Sequence, residues 1–131
     1  MPKASNRRTY SLIAGVCLFL VLPAAAQAQG DRQKGRQIAI DHCARCHVVP
    51  DYNPYGGIGS TPSFKLLAGR DDYLERFQNF FERPPHPVVV RVPGVPKPTD
   101  DPAFVAEIDI QPEQIDDIIA FIEALRAETA K

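Results

Sequence analysis

The residues best equipped for chemistry lie in one short stretch, D-H-C-A-R-C-H-V-V, from Asp41 to Val49. Cys43 and Cys46 are three apart, and His47 follows directly. Two thiols and an imidazole at that spacing admit several chemistries. A redox dithiol of the thioredoxin kind needs alternating strands and helices with the motif opening a helix, and this chain reads helix, loops, helix, loop, helix. A structural zinc site needs four ligands, which Cys43, Cys46, His47 and His86 supply in number. A disulfide between Cys43 and Cys46 closes a very small loop under strain and stabilises little. C-x-x-C-H is also the signature of covalent haem attachment. In that chemistry the two thiols add to the haem vinyl groups as thioethers, and the adjacent imidazole swings beneath the ring to bind iron.

The compartment bears on the choice. Lys3, Arg7 and Arg8 form a basic start, an apolar run covers about Leu12 to Leu22, and Ala26-Gln27-Ala28 is a small-x-small cleavage site. The apolar run is too short to span a bilayer, which takes about 20 residues. Residues 1–28 therefore read as a secretory signal peptide, and residues 29–131 as the domain. Cys17 is no lipoprotein site, because bulky Val16 precedes it, and the surroundings of Arg7-Arg8 fit a twin-arginine signal poorly. Once residues 1–28 leave, 12 basic and 16 acidic residues remain, a net charge of −4. Such a surface does not favour nucleic acid. Cys17 leaves too, so Cys43 and Cys46 are the only cysteines of the exported domain. A domain of this size builds a modest core and gains from a large bound group. Haem attachment, which takes place outside the cytoplasm, fits all of this.

Three helices should position the motif. Asp31 to His42 reads as the first, with Asp31 as its cap and Ile38 and Ala39 on a narrow apolar face. Gly35 is a poor helix former there, which points either to a close helix crossing or to a plain exposed site. Val48 to Thr61 is loop, broken by prolines and glycines. Phe64 to Ala68 is a short helical piece. Asp71 to Glu82 reads as one helix, with Tyr73, Leu74, Phe77, Phe80 and Phe81 in an apolar stripe. Arg83 to Pro102 is proline-dense and cannot be helical. Val88 to Val92 reads as a short strand pairing with Phe104 to Ile108. The last helix starts at Gln111-Pro112-Glu113 and runs to about Arg126, with Ile115, Ile118, Ile119, Ile122 and Leu125 on its apolar face and Phe121 beside them.

With these features in place, the chain resembles the small bacterial class I cytochromes c over nearly all of the exported domain. Cys43, Cys46 and His47 match the attachment motif, and Pro62-Ser63-Phe64 resembles the P-x-F segment ahead of the middle helix. I-D-D-I-I-A-F-I-E-A-L, Ile115 to Leu125, is similar to the terminal helix of that family, with Phe121 at its aromatic position. The resemblance implies an all-α class I cytochrome c fold around one haem c, with a long Pro-rich loop before the C-terminal helix. It implies that the first and last helices cross near Gly35 and Phe121. It also implies His47 as the proximal iron ligand, its far nitrogen held by a carbonyl expected from Pro50 or Pro54.

The chain departs from that family at the sixth iron position. A methionine normally follows the middle helix in a P-H-x-x-M-P stretch, and here Pro85-His86-Pro87-Val88-Val89-Val90 places Val89 where the methionine would stand. Met1 is the only methionine in the chain and leaves with the signal. Three arrangements remain. His86 is the distal ligand, or the position is open behind an apolar wall of Val88, Val89, Val90 and Val92, or another group such as Lys97, Tyr52, Tyr55 or a partner residue binds. His42 lies too close to the attachment site to reach over the ring.

The expected function is one-electron transfer by a periplasmic, non-enzymatic cytochrome, to or from a redox enzyme or membrane complex, with at most transient membrane contact. A haem-based gas-binding protein with an open iron is the alternative, and a structural zinc-binding exported domain a third. The acidic surface favours partners with a basic docking face.

Overall fold

Asp31 opens the first helix: its carboxylate accepts the backbone N–H groups of Gln33 and Lys34 at 2.8 and 3.2 Å, which satisfies donors that the first turn leaves free. The computed structural model describes residues 30–130, so the signal-peptide reading of residues 1–28 lies outside the described residues. Helix α1 covers Arg32–Ile38, and a wide π-helical turn, Ala39–Cys43, continues it. The expected single helix to His42 therefore changes pitch after Ile38, and the wider turn delivers Cys43.

Helix α2 is Phe64–Ala68, as expected, with the Ser63 hydroxyl accepting the Leu66 N–H at 3.1 Å. Helix α3 is shorter than expected, Tyr73–Gln78. It breaks at Asn79, and Phe80–Glu82 form a single 3₁₀ turn. Pro84 bars any helical continuation beyond Arg83. The residue before a proline is pushed out of the helical region, and Arg83 is extended, at φ −98° and ψ 124°. The apolar stripe splits accordingly. Phe77 is buried in the core, Phe80 and Phe81 turn with the new direction, and Leu74 faces solvent.

A second 3₁₀ turn covers His86–Val88. Strand β1, Val90–Arg91, pairs in parallel with β2, Ile108–Asp109. The pairing is shorter than expected, and bonds from the Ile108 N–H to the Val89 carbonyl (2.9 Å) and from the Ile110 N–H to the Arg91 carbonyl (2.8 Å) frame it. Helix α4 covers Pro112–Thr129, with the Gln114 side chain accepting the Gln111 N–H at 2.8 Å. Among the described residues, no helix is long and apolar enough to cross a membrane.

Helices α1 and α4 form the main packing unit, and Gly35 explains how closely they meet. A β-carbon at Gly35 would fall on the backbone carbonyl of Asp117. The plain-exposed-glycine alternative is thus excluded, and the contact lies one turn before Phe121. The Asp31 N–H also donates to the Asp117 carboxylate at 2.7 Å, which ties the start of α1 to α4. Behind this crossing, Ile38, Ala39, Phe64, Phe77, Ile118, Phe121 and Ile122 fill the core. Val90 and Val92 of the distal segment join them.

Candidate metal centre

The attachment motif is a tight turn at the end of the π-helical segment. The Cys43 carbonyl accepts two backbone N–H groups, from Cys46 at 3.0 Å and His47 at 2.9 Å. These two hydrogen bonds to one carbonyl fold both later residues back towards Cys43. Asn53 locks the turn from outside. Its amide oxygen accepts the Val49 N–H at 2.7 Å, and its amide nitrogen donates to the carbonyls of Ala44 (2.9 Å) and His47 (3.0 Å). Gly57 then crosses the motif in the left-handed region (φ +75°), where a β-carbon would press on the Cys46 carbonyl. Sequence reasoning missed Asn53; the one available signal is its place before Pro54, in a stretch of turn formers.

Cys43 and Cys46 are not joined to each other by a disulfide. Burial, and then the nearby Cys46, push the Cys43 thiol up to about 12. The element order, which lacks alternating strands and helices, gives the redox-dithiol reading no support. The zinc tetrad is not assembled: among the described residues, no three His, Cys, Asp or Glu side chains gather as metal ligands.

His47 is oriented by its far nitrogen. The Nδ1–H donates to the Pro62 carbonyl at 2.7 Å. The expected acceptor, Pro50 or Pro54, is corrected here: the loop brings round the proline of the P-x-F segment. A carbonyl only accepts, so Nδ1 carries the proton and Nε2 keeps its lone pair. Phe64 meets the imidazole edge-on, with ring centres 5.5 Å apart and planes at 83°. The same Phe64 packs on Phe77 and Phe121, which connects His47 to the core.

His86 repeats this arrangement from the other side of the site. Its Nδ1–H donates to the Arg83 carbonyl at 3.0 Å, and Phe80 meets it edge-on at 5.5 Å and 90°. The two imidazole planes are 5° from parallel, with ring centres 6.0 Å apart. Two metal–nitrogen bonds of about 2 Å, plus about 1.1 Å from each nitrogen to its ring centre, set two imidazoles on one metal about 6 Å apart. Burial lowers the pKa of His47 against the Pro62 bond, and burial followed by the neighbouring His47 lowers that of His86. Both shifts favour the neutral ring, the form that ligates metal.

The donor set and this spacing fit a haem. Half-covered apolar side chains pack against the core from the motif (Cys43, Ala44), from α2 (Leu67) and from the stretch around His86 (Phe80, Phe81, Val89). A family model described as Cytochrome c matches residues 32–126. The chain belongs to the cytochrome c family. Neither the curated proteins nor the solved structures give a significant match. The fold of this cytochrome is the class I fold, helical with a C-terminal helix closing it, and its cofactor is covalently attached haem c.

The other side chains considered for the sixth position are paired or exposed. The Lys97 ammonium is held by Glu107 at 2.6 Å. Tyr55 is fully exposed and Tyr52 more than half so. Of the valines expected to wall an open position, Val90 and Val92 are buried in the core and Val89 packs against it. A surface cleft of about 390 Å³ beside β1 is lined by Arg91, Val92, Val95, Lys97, Asp109 and Gln111, among others, and holds no motif residue. Its two cations are already paired, Arg91 with Asp109 and Lys97 with Glu107.

Proposed function

We propose that this cytochrome is an exported single-electron carrier whose haem iron is held between two histidines, His47 and His86, with Cys43 and Cys46 forming the thioethers. The observation that carries the proposal is the parallel imidazole pair at 6.0 Å. When bound, the haem supplies a one-electron ferric/ferrous couple. The residues of the chain do the rest. Cys43 and Cys46 would hold the macrocycle through the thioethers. Pro62 and Arg83 fix the ring orientations through their carbonyls and make both imidazoles more basic donors. Phe64 and Phe80 hold the rings at their edges. With two strong ligands fixed in place, little moves on electron transfer.

The signal-like residues 1–28 support export to the periplasm, and the net charge of −4 supports a redox partner with a basic docking face. A spectroelectrochemical titration of the holoprotein tests the proposal. The expected result is a single one-electron wave, below the range of methionine-ligated relatives, with low-spin spectra at both limits. A high-spin ferrous limit contradicts it.

A further inference from the structure

His86 is placed by a chain of contacts that begins outside the site, and its key residue is Asn79. The Arg83 carbonyl accepts twice from His86, from the backbone N–H at 2.9 Å and from Nδ1–H at 3.0 Å. The orientation of the imidazole therefore depends on where Arg83 sits. Arg83 is in turn gripped by its guanidinium. Nε donates to the Asn79 side-chain oxygen at 2.7 Å, and Nη2 to the Glu75 carboxylate at 2.8 Å. Guanidinium groups only donate, so the Asn79 atom facing Nε is its oxygen. Asn79 is also the residue at which α3 ends, and its carbonyl accepts the Glu82 N–H at 3.0 Å. One residue thus ends the helix, starts the turn that carries Phe80, and holds the arginine whose carbonyl orients His86.

We infer that Asn79 is a positioning residue for His86, acting through Arg83, and that it sets how readily His86 gives up the distal position. Glu75 assists more weakly, because its carboxylate is largely exposed and shares the interaction with water. The inference rests on the two-histidine proposal above.

The test is carbon monoxide uptake by the ferrous holoprotein, followed by rapid mixing, with the reduction potential measured alongside. In the wild type, uptake waits for His86 to leave and is slow. Asn79→Ala removes an acceptor from a charged donor, and uptake should be about fivefold to tenfold faster, with the potential shifted upward. Asn79→Asp keeps an oxygen for Arg83 Nε and should return uptake to within about twofold of the wild type. Glu75→Ala, on an exposed side chain, should move uptake the same way by less, and it serves if Asn79→Ala does not accumulate. His86→Ala sets the fast limit. A slow wild type with a fast His86→Ala, and Asn79→Ala and Glu75→Ala both at the wild-type rate, overturns the positioning role alone, even where melting temperature falls. A wild type already as fast as His86→Ala overturns the two-histidine proposal and this inference with it.

Discussion

The imidazole rings of His47 and His86 lie 5° from parallel with their centres 6.0 Å apart. They come from opposite ends of the chain's irregular middle, and each is set by the same pair of devices. A backbone carbonyl takes the Nδ1–H, from Pro62 for His47 and from Arg83 for His86. A phenylalanine edge holds the ring, Phe64 for one and Phe80 for the other. These matching supports are what the proposal that both rings serve one centre rests on, together with their spacing.

The near-zero angle between the rings has a spectroscopic consequence. Parallel imidazole planes split the iron d orbitals into a rhombic low-spin pattern, whereas perpendicular planes give a highly anisotropic one. Frozen-solution electron paramagnetic resonance of the ferric holoprotein should show the rhombic signal. A strongly anisotropic or high-spin signal would count against the observed ring geometry.

Gly35 should tolerate no side chain. Gly35→Ala places a methyl on the Asp117 carbonyl, on backbone that cannot rotate away, so α1 and α4 must separate. Overpacking of this kind costs on the order of 3 kcal/mol, well beyond any gain from alanine's better helix propensity. Thermal unfolding of the holoprotein should show a clear drop in melting temperature, and an unchanged value would contradict the close crossing.

Asn53 should matter nearly as much, although it touches no cofactor. Asn53→Ala strips the partner from the N–H of Val49, a fully buried residue, and frees the Ala44 and His47 carbonyls. Leaving a buried donor unpaired costs about 1–3 kcal/mol. Denaturant unfolding should report a loss in that range with little change in the optical spectrum. Asn53→Asp should not rescue it, because a carboxylate oxygen would replace the donor to the Ala44 and His47 carbonyls.

Asp72 should link stability to acid. Its carboxylate accepts from Arg70, at 2.7 and 3.2 Å, and from Arg76 at 2.8 Å. The Arg70 bond above all holds its pKa down, to about 2 from an ordinary 3.8. A carboxyl depressed in the folded state stabilises above its unfolded pKa, and that contribution disappears as pH falls through the folded value. Wild type should therefore exceed Asp72→Asn in melting temperature at neutral pH, by a modest margin because the group is exposed. The gap should narrow from about pH 4 down to about pH 2. A gap that is constant with pH would exclude this linkage.

Much of this was legible in the sequence, for identifiable reasons. The helices with capping residues and apolar periodicity, α1, α2 and α4, fall where local rules place them, and the C-x-x-C-H spacing carries its chemistry in five contiguous positions. Gly35 was legible as unusual, but only the crossing itself explains it. The break at Asn79 is not legible because Phe80 and Phe81 continue a helical spacing, although the backbone turns there into a 3₁₀ segment. The carbonyl that orients His47 was assigned to the nearest prolines, whereas a fourteen-residue loop returns Pro62 to the ring. The role of His86 depended on loop direction, which no local pattern encodes. The short run Val88 to Val92 reads as strand and as pocket wall alike until its pairing with Ile108 is seen.

The most direct test of the account is the optical spectrum of the ferrous holoprotein with and without carbon monoxide, for the wild type and His86→Ala. The account predicts a low-spin wild type that carbon monoxide barely changes within minutes, and a His86→Ala variant that turns high-spin and shifts at once. A wild type whose spectrum already shifts on mixing would contradict it, and would leave the iron open on the side where His86 stands.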